Sequence, residues 1–191
     1  MTRFTPVALH HASRLINHGP TVLVTSVHGG RRNVMAAAWS MPVEFTPPRI
    51  AVVIDKKTFT RELVAASGVF GLCLPGVALA DLAYAVGGVS GREQDKFAHH
   101  AIRSHAGAVT GVPLIEDGCA AWLECRLIPE PHTEDAYDTC FAEVVAAAAD
   151  PHVFANGHWD YREDNTALQT LHHLGGGNFI RPVGMVRAAS S

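Results

Sequence analysis

The sequence predicts a mainly β fold in which short antiparallel strands, with a few short helices between them, build a barrel rather than a sandwich. Three observations carry this. Short β-branched and apolar runs recur along the chain, and Gly and Pro pairs punctuate them. Helical spacing is confined to two brief stretches and one turn. At 191 residues the chain suits one domain, taken as 1–191, with length enough for a sizeable core.

Residues 21–27 form the first strand, and Gly29-Gly30 turns the chain. Residues 33–45 resume as extended backbone until Pro47-Pro48 breaks the run ahead of a buried strand at 50–54. Three strands within about thirty-five residues, joined by short connections, imply antiparallel pairing. Residues 60–67 read as a helix, with Thr60 as its cap, Glu62 near its start and Gly68 as its stop. Residues 69–74 are an apolar strand ended by Pro75-Gly76, and 79–86 have helical spacing that ends at Gly87-Gly88. The polar stretch 90–108 reads as loop with a helical turn at 95–99. Residues 119–128 alternate as a strand, with Cys119, Ala121, Leu123, Cys125 and Leu127 on one face. Residues 141–149 are its partner, across a polar turn at 133–137. Residues 151–165 read as an exposed loop, and 168–180 close the chain through Gly175-Gly176-Gly177.

A net charge of −3 argues against a sequence-independent nucleic-acid binder, which needs excess Lys and Arg to neutralise phosphates. It leaves room for a local basic pocket. No apolar leader core follows the amino terminus, and no apolar run approaches the roughly 18 residues of a membrane helix. Cys73, Cys119, Cys125 and Cys140 form no C-x-x-C pair, and the expectation is reduced core thiols in a cytoplasmic protein.

Several chemistries lack their motifs. There is no P-loop, no G-x-G-x-x-G opening a helix, no H-E-x-x-H and no G-x-S-x-G. His132-Thr133-Glu134 imitates a deaminase H-x-E but has no P-C-x-x-C partner. The histidine pairs His10-His11, His99-His100 and His172-His173 are expected to diverge, since sequence neighbours point to different sides of a strand or helix, so no metal site is assigned.

Two features carry positive information. The segment Asn33, Val34, Met35, Ala36, Ala37, Ala38, Trp39, Ser40 places three consecutive alanines in a strand. That forfeits packing area unless a neighbouring strand crowds it or a flat ring approaches its backbone, with Trp39 as an aromatic wall. The second is a pair of basic, hydroxyl-rich segments, one with Lys57, Thr58 and Thr60, the other with Ser90, Arg92 and Lys96. The first runs into a helix amino terminus, where unpaired N–H groups and the helix dipole favour an anion. Arg92 can grip a phosphate through two N–H groups, and Lys96 can add a point charge.

In chain order these segments resemble the flavin reductase-like family, which includes the flavoredoxins. The resemblance opens at Arg14-Leu15-Ile16-Asn17-His18-Gly19-Pro20 and the strand behind it, and runs on through 33–45. It continues in Thr60-Arg61-Glu62-Leu63, in Ser90-Gly91-Arg92 followed by Asp95-Lys96-Phe97, and in Leu123-Glu124-Cys125. It ends at Leu174-Gly175-Gly176-Gly177-Asn178-Phe179.

The resemblance implies a split β-barrel homodimer that holds FMN near the subunit interface. Asn33, Met35, Ala36, Ala37, Ala38, Trp39 and Ser40 would line the isoalloxazine. Lys57, Thr58, Thr60, Ser90, Arg92 and Lys96 would serve the ribityl phosphate, and Phe179 would come from either subunit. At Thr58 many relatives would have a larger basic or aromatic residue, so one phosphate contact is lost there or replaced by a hydroxyl. The 151–165 loop, with His158-Trp159, matches no known activity. The implied function is an NAD(P)H-dependent flavin reductase acting on a flavin, a nicotinamide or another small electron acceptor. Alternatives are an electron-transfer protein reduced by a partner and a non-enzymatic flavin carrier or sensor. The flavin carries the chemistry, so no catalytic side chain is assigned.

Overall fold

The computed structural model describes residues 3–189. Met1 and Thr2, at the amino terminus where no leader core is expected, and the last two residues of the expected 1–191 domain lie outside them. Strand β1 (Thr5–Pro6) and a 3₁₀ helix at Leu9–Leu15 precede the first hairpin, β2 (Val22–His28) and β3 (Arg31–Ala37). Gly29 and Gly30 both have positive φ, 56° and 76°, as the two-residue turn between twisted strands requires. The extended run expected at 33–45 is two strands, because the chain turns at Ala38 and Trp39 before β4 (Ser40–Phe45). Strand β5 (Pro48–Val53) follows.

Helix α1 (Phe59–Ser67) starts one residue earlier than the sequence suggests, and its cap is Thr58 rather than Thr60. The Thr58 hydroxyl accepts the Arg61 N–H at 3.2 Å and donates to the Asp55 carbonyl at 2.8 Å. Thr60 is buried and accepts the Asn33 amide instead. Gly68 stops the helix in the left-handed region as expected. Then come β6 (Val69–Pro75), α2 (Ala80–Gly88), α3 (Lys96–His99), β7 (Ser104–Ala106) and β8 (Pro113–Ile115). The pair β7–β8 was not legible in the sequence. The long strands β9 (Cys119–Ile128) and β10 (Thr139–Ala149) pair as expected, but residues 131–137 between them form helix α4 (Pro131–Tyr137), not a turn. The expected exposed loop at 151–165 also needs correction. It contains a small hairpin, β11 (Phe154–Ala155) and β12 (His158–Trp159), and buries Val153, Phe154 and Asn165. A last hairpin, β13 (His172–Gly175) and β14 (Asn178–Ile180), contains the three glycines.

The main sheet is antiparallel, in the order β3-β2-β6-β9-β10-β5-β4, with β1 on β10. Its terminal strands, β3 and β4, are consecutive in the chain and joined only through Ala38 and Trp39. Such a link spans roughly 10 Å. The sheet therefore curls until its two edges face one another, and they remain unpaired, as in a split barrel. Each face has its own hydrophobic cluster. Val22, Val24, Ile50, Leu72, Leu123 and Val144 share one, while Leu23, Val34, Cys73, Phe97 and Leu114 share the other. Cys119 belongs to the second cluster and so leaves the face expected for it. Both faces of β9 are buried because its one acid, Glu124, is satisfied. It accepts the Thr110 N–H and hydroxyl, each at 2.7 Å, which anchors the 107–111 turn. All four cysteines are free and buried.

Candidate functional site

Two joined clefts lie along β3, and the larger reaches the Ala38–Trp39 corner where the chain leaves it. The larger, about 660 Å³, has Ala36, Ala37 and Ala38 along its floor and Trp39 at the corner. Tyr84 and Gly87 of α2, Asp55, and His173 and Phe179 of the last hairpin form its walls. The smaller, about 310 Å³, lies between Asn33 of β3, the start of α1 (Lys57 to Thr60) and the Ser90–Arg92 turn. Met35, Ala36, Gly87, Gly88 and Val89 line both, so the two are one continuous groove. Small residues on β3 let α2 come close: a Cβ on Gly87 would stand 3.9 Å from the Ala36 Cβ.

The chemistry of the two halves differs. The small cleft has Lys57, Arg92 and Lys96 in its wall and no acid. Phe59 and Thr60, in the first turn of α1, have backbone N–H groups with no intrahelical acceptor, and the helix dipole points its positive end there. Arg92 is held in place by donating to the Lys57 carbonyl at 2.9 Å and by a 3.1 Å ion pair with Glu62. Its guanidinium lies 5.7 Å from the Phe59 ring, and that of Arg31 lies 4.2 Å over the same ring. Asn33 is 2% exposed; its amide donates to Thr60 at 2.9 Å, while its Oδ1 has no protein partner. Gly91 packs directly on that oxygen, and a Cβ there would collide with it and come within 2.9 Å of Phe59.

Lys96 behaves differently from an exposed phosphate ligand. It is 3% exposed, and its ammonium donates to the Val34 carbonyl at 2.9 Å and the Val86 carbonyl at 2.6 Å. Burial holds its pKa down to about 8. The side chain thus ties β3 to α2 at the wall of the small cleft, with its ammonium already engaged by two carbonyls.

Of the residues predicted from the sequence, Met35, Ala36, Ala37, Ala38, Trp39 and Phe179 line the large cleft. Asn33, Lys57, Thr58, Thr60, Ser90, Arg92 and Lys96 line the small one. Ser40 lines neither; it lies in β4 opposite Val52, with its hydroxyl buried. Trp39 is 74% exposed, so it is not a core tryptophan. Sequence reasoning missed Asp55, Tyr84, His173 and Arg31. Tyr84 was visible only as one residue of a helical stretch, and nothing local marks which way that helix faces.

The last hairpin is held by a histidine cluster that draws in the 151–165 segment. The Tyr161 hydroxyl lies 3.0 Å from the Thr170 hydroxyl and 3.2 Å from His18 Nε2, while His172 Nδ1 lies 3.1 Å from the Gly19 carbonyl. Burial, with His172 as a lesser cause, brings the His18 pKa down to about 4. Two of the adjacent pairs do not diverge as expected: ring centroids lie 4.0 Å apart for His10 and His11, and 4.7 Å for His99 and His100. His172 and His173 do diverge, the first meeting His18 and the second Phe179. Among the described residues no three His, Cys, Asp or Glu side chains gather as a metal-holding group.

An apolar groove with a basic, helix-capped end on a curled antiparallel sheet defines a split-barrel ligand-binding class. Residues 14–167 match the flavin reductase like domain, and the chain belongs to that family. It is 57% identical over 182 residues to YddH of Escherichia coli (strain K12), spanning 94% of this chain and 95% of that one. The FMN-binding domain of a flavin reductases-like enzyme from Shewanella baltica OS155 shares 40% identity, with 97% of each chain covered and a TM-score of 0.92. The flavoredoxin of Desulfovibrio vulgaris (Miyazaki F) has the same fold at 23% identity, 91% of each chain and a TM-score of 0.76.

Proposed function

We propose that this protein binds FMN in the joined clefts and works as an NAD(P)H-dependent flavin oxidoreductase, as one domain over 1–191. The carrying observation is the division of the groove. An apolar, aromatic-walled chamber suits the isoalloxazine, and the cationic cleft at the start of α1 suits the ribityl phosphate. The Shewanella baltica relative, described as FMN-binding, supports the same cofactor. Bound FMN supplies the redox chemistry. The chain's own part is to hold and orient it. Arg92 and Lys57 neutralise the phosphate, the amide of Asn33 fixes the polar middle of the groove, and Trp39 and Phe179 keep water from the ring. Heat-released cofactor from the purified protein should run as FMN on chromatography, and the holoprotein should oxidise NADH or NADPH. Recovery of FAD, or no flavin uptake from excess FMN, would falsify the cofactor assignment; absence of nicotinamide oxidation would move the activity to the electron-transfer reading.

We infer further that the working form is a homodimer. Trp39, Met41, Val43 and Phe45 follow one another at alternate positions on the edge strand β4 and its entry, and all are exposed, Phe45 by 70%. An apolar edge of this kind beside the groove calls for a cover, and two-fold self-association is the commonest form of one. Sedimentation should give a dimer, and Phe45→Glu should shift it to a monomer. The four free, buried thiols fit a reducing cytoplasm, and no helix among the described residues is long and apolar enough to cross a membrane.

A further inference from the structure

The large cleft offers more room than the proposed cofactor's ring uses. At about 660 Å³ it falls inside the range of roughly 300–1,000 Å³ that holds an entire small ligand, although only the ring of FMN would enter it. The ribityl chain and phosphate would occupy the small cleft. Aromatic side chains stand on separate elements around the larger space: Trp39 at the β3–β4 corner, Tyr84 on α2 and Phe179 on β14. Two flat rings can be accommodated between walls so arranged, each offered an edge or a face.

Charge is distributed unevenly along the groove. Every Lys and Arg of its lining is in the small cleft, and the large cleft has no cation among its lining side chains apart from the titratable His173. Its one formal charge is the carboxylate of Asp55. That carboxylate is fixed, because Oδ1 accepts the Lys57 N–H at 2.7 Å, and it has no ion-pair partner among the described residues. An anionic ring that reached this chamber would meet Asp55 and find no basic partner.

We propose that the large cleft is also the substrate pocket, and that it takes a small flat compound with no negative charge, Asp55 selecting against carboxylated aromatics. The inference rests on the FMN reading, since the cofactor's phosphate must occupy the basic cleft and deny it to the second ligand.

The test uses the FMN-loaded protein and two ligands of nearly equal shape, 4-nitrobenzamide and 4-nitrobenzoate, with binding followed by calorimetry and by the change in flavin absorbance. The neutral amide should bind about fivefold more tightly than the anion, the upper end of what one solvent-exposed charge contributes. Asp55→Asn keeps the oxygen that accepts the Lys57 N–H and removes only the charge, so it should bring the two affinities together while the melting temperature stays put. Equal or tighter binding of the benzoate, no binding of either ligand, or a gap unchanged in Asp55→Asn would overturn the proposal and leave the cofactor assignment standing. Failure of the chain to retain FMN in the loading step would overturn both.

Discussion

The two ends of the groove are built from the same strand and solve different problems. On β3, Asn33 serves the basic cleft and Ala36 and Ala37 serve the apolar one, a distance of only a few residues. The basic end is tightly specified. Its charges are braced by carbonyls, a ring and an ion pair, and Gly91 leaves no space for a methyl group. The apolar end is loosely specified, with Trp39 and Tyr84 exposed and Phe179 half-buried, each on a separate part of the chain. The difference teaches where tolerance to substitution lies: a ligand's charged tail is recognised by fixed geometry, and its ring by surfaces that can shift.

The contrast should break most severely at Gly91. A valine there would overlap Asn33 Oδ1 and press on Phe59, two buried groups with no route of retreat. We expect Gly91→Val to lower stability by about 3 kcal/mol, the upper range for overpacking, and to abolish FMN binding. Thermal melts and a flavin titration check both. Normal FMN affinity in a stable variant would show that the Ser90–Arg92 turn does not form the cleft wall.

Lys96 tests whether bracing and binding are separate. Lys96→Met removes both donors to the Val34 and Val86 carbonyls, at a cost of about 2 kcal/mol in the apo protein. FMN and riboflavin should then weaken together, because the groove loosens; a loss confined to FMN would make Lys96 a direct phosphate ligand. Its titration adds a sign. The folded ammonium gives up its proton near pH 8, whereas an unfolded lysine keeps its own to about 10.4. Between these values the unfolded chain binds more protons, so stability should rise with pH across that window. The rise should flatten in Lys96→Met, as denaturant melts at pH 8 and 10 would show.

Arg92→Ala should act on the ligand more than on the fold, because the side chain is half-exposed. FMN should weaken about tenfold and riboflavin hardly at all, since a charge-assisted contact contributes roughly 1.5–3 kcal/mol. Equal weakening of the two would remove Arg92 from the phosphate site. The smallest effect belongs to the apolar end. Trp39→Phe should leave the apo melting temperature unchanged, brighten the bound flavin and weaken FMN by about 0.5–1.5 kcal/mol. A large fall in melting temperature with unchanged flavin fluorescence would contradict the exposed position of the indole.

Local signals made most of the barrel legible. Gly29-Gly30, Gly68 and the β-branched runs place turns, a helix stop and strands within a residue or two of their observed bounds. They failed where tertiary contacts compete with local preference. Thr58 and Thr60 are equally good caps by composition, and the choice follows from Asn33 reaching Thr60 across the sheet. The 151–165 segment reads as solvent-facing because it is rich in polar residues, yet it buries Phe154 and sends Tyr161 into the His18 cluster.

By itself the sequence determined the residue types of the site: an alanine floor on one strand and a basic, hydroxyl-bearing end on two turns. Those types follow from chemistry that acts over one or two residues, and such chemistry is written in order along the chain. Only the tertiary structure decided that Trp39 faces outward at the seam, that Tyr84 and His173 complete the chamber, and that Lys96 braces the floor with its ammonium on two carbonyls. Each of these depends on how far the sheet curls to bring β3 and β4 together and on which face α2 turns toward β3. A short stretch of sequence holds no record of either, because both are set by the packing of elements far apart in the chain.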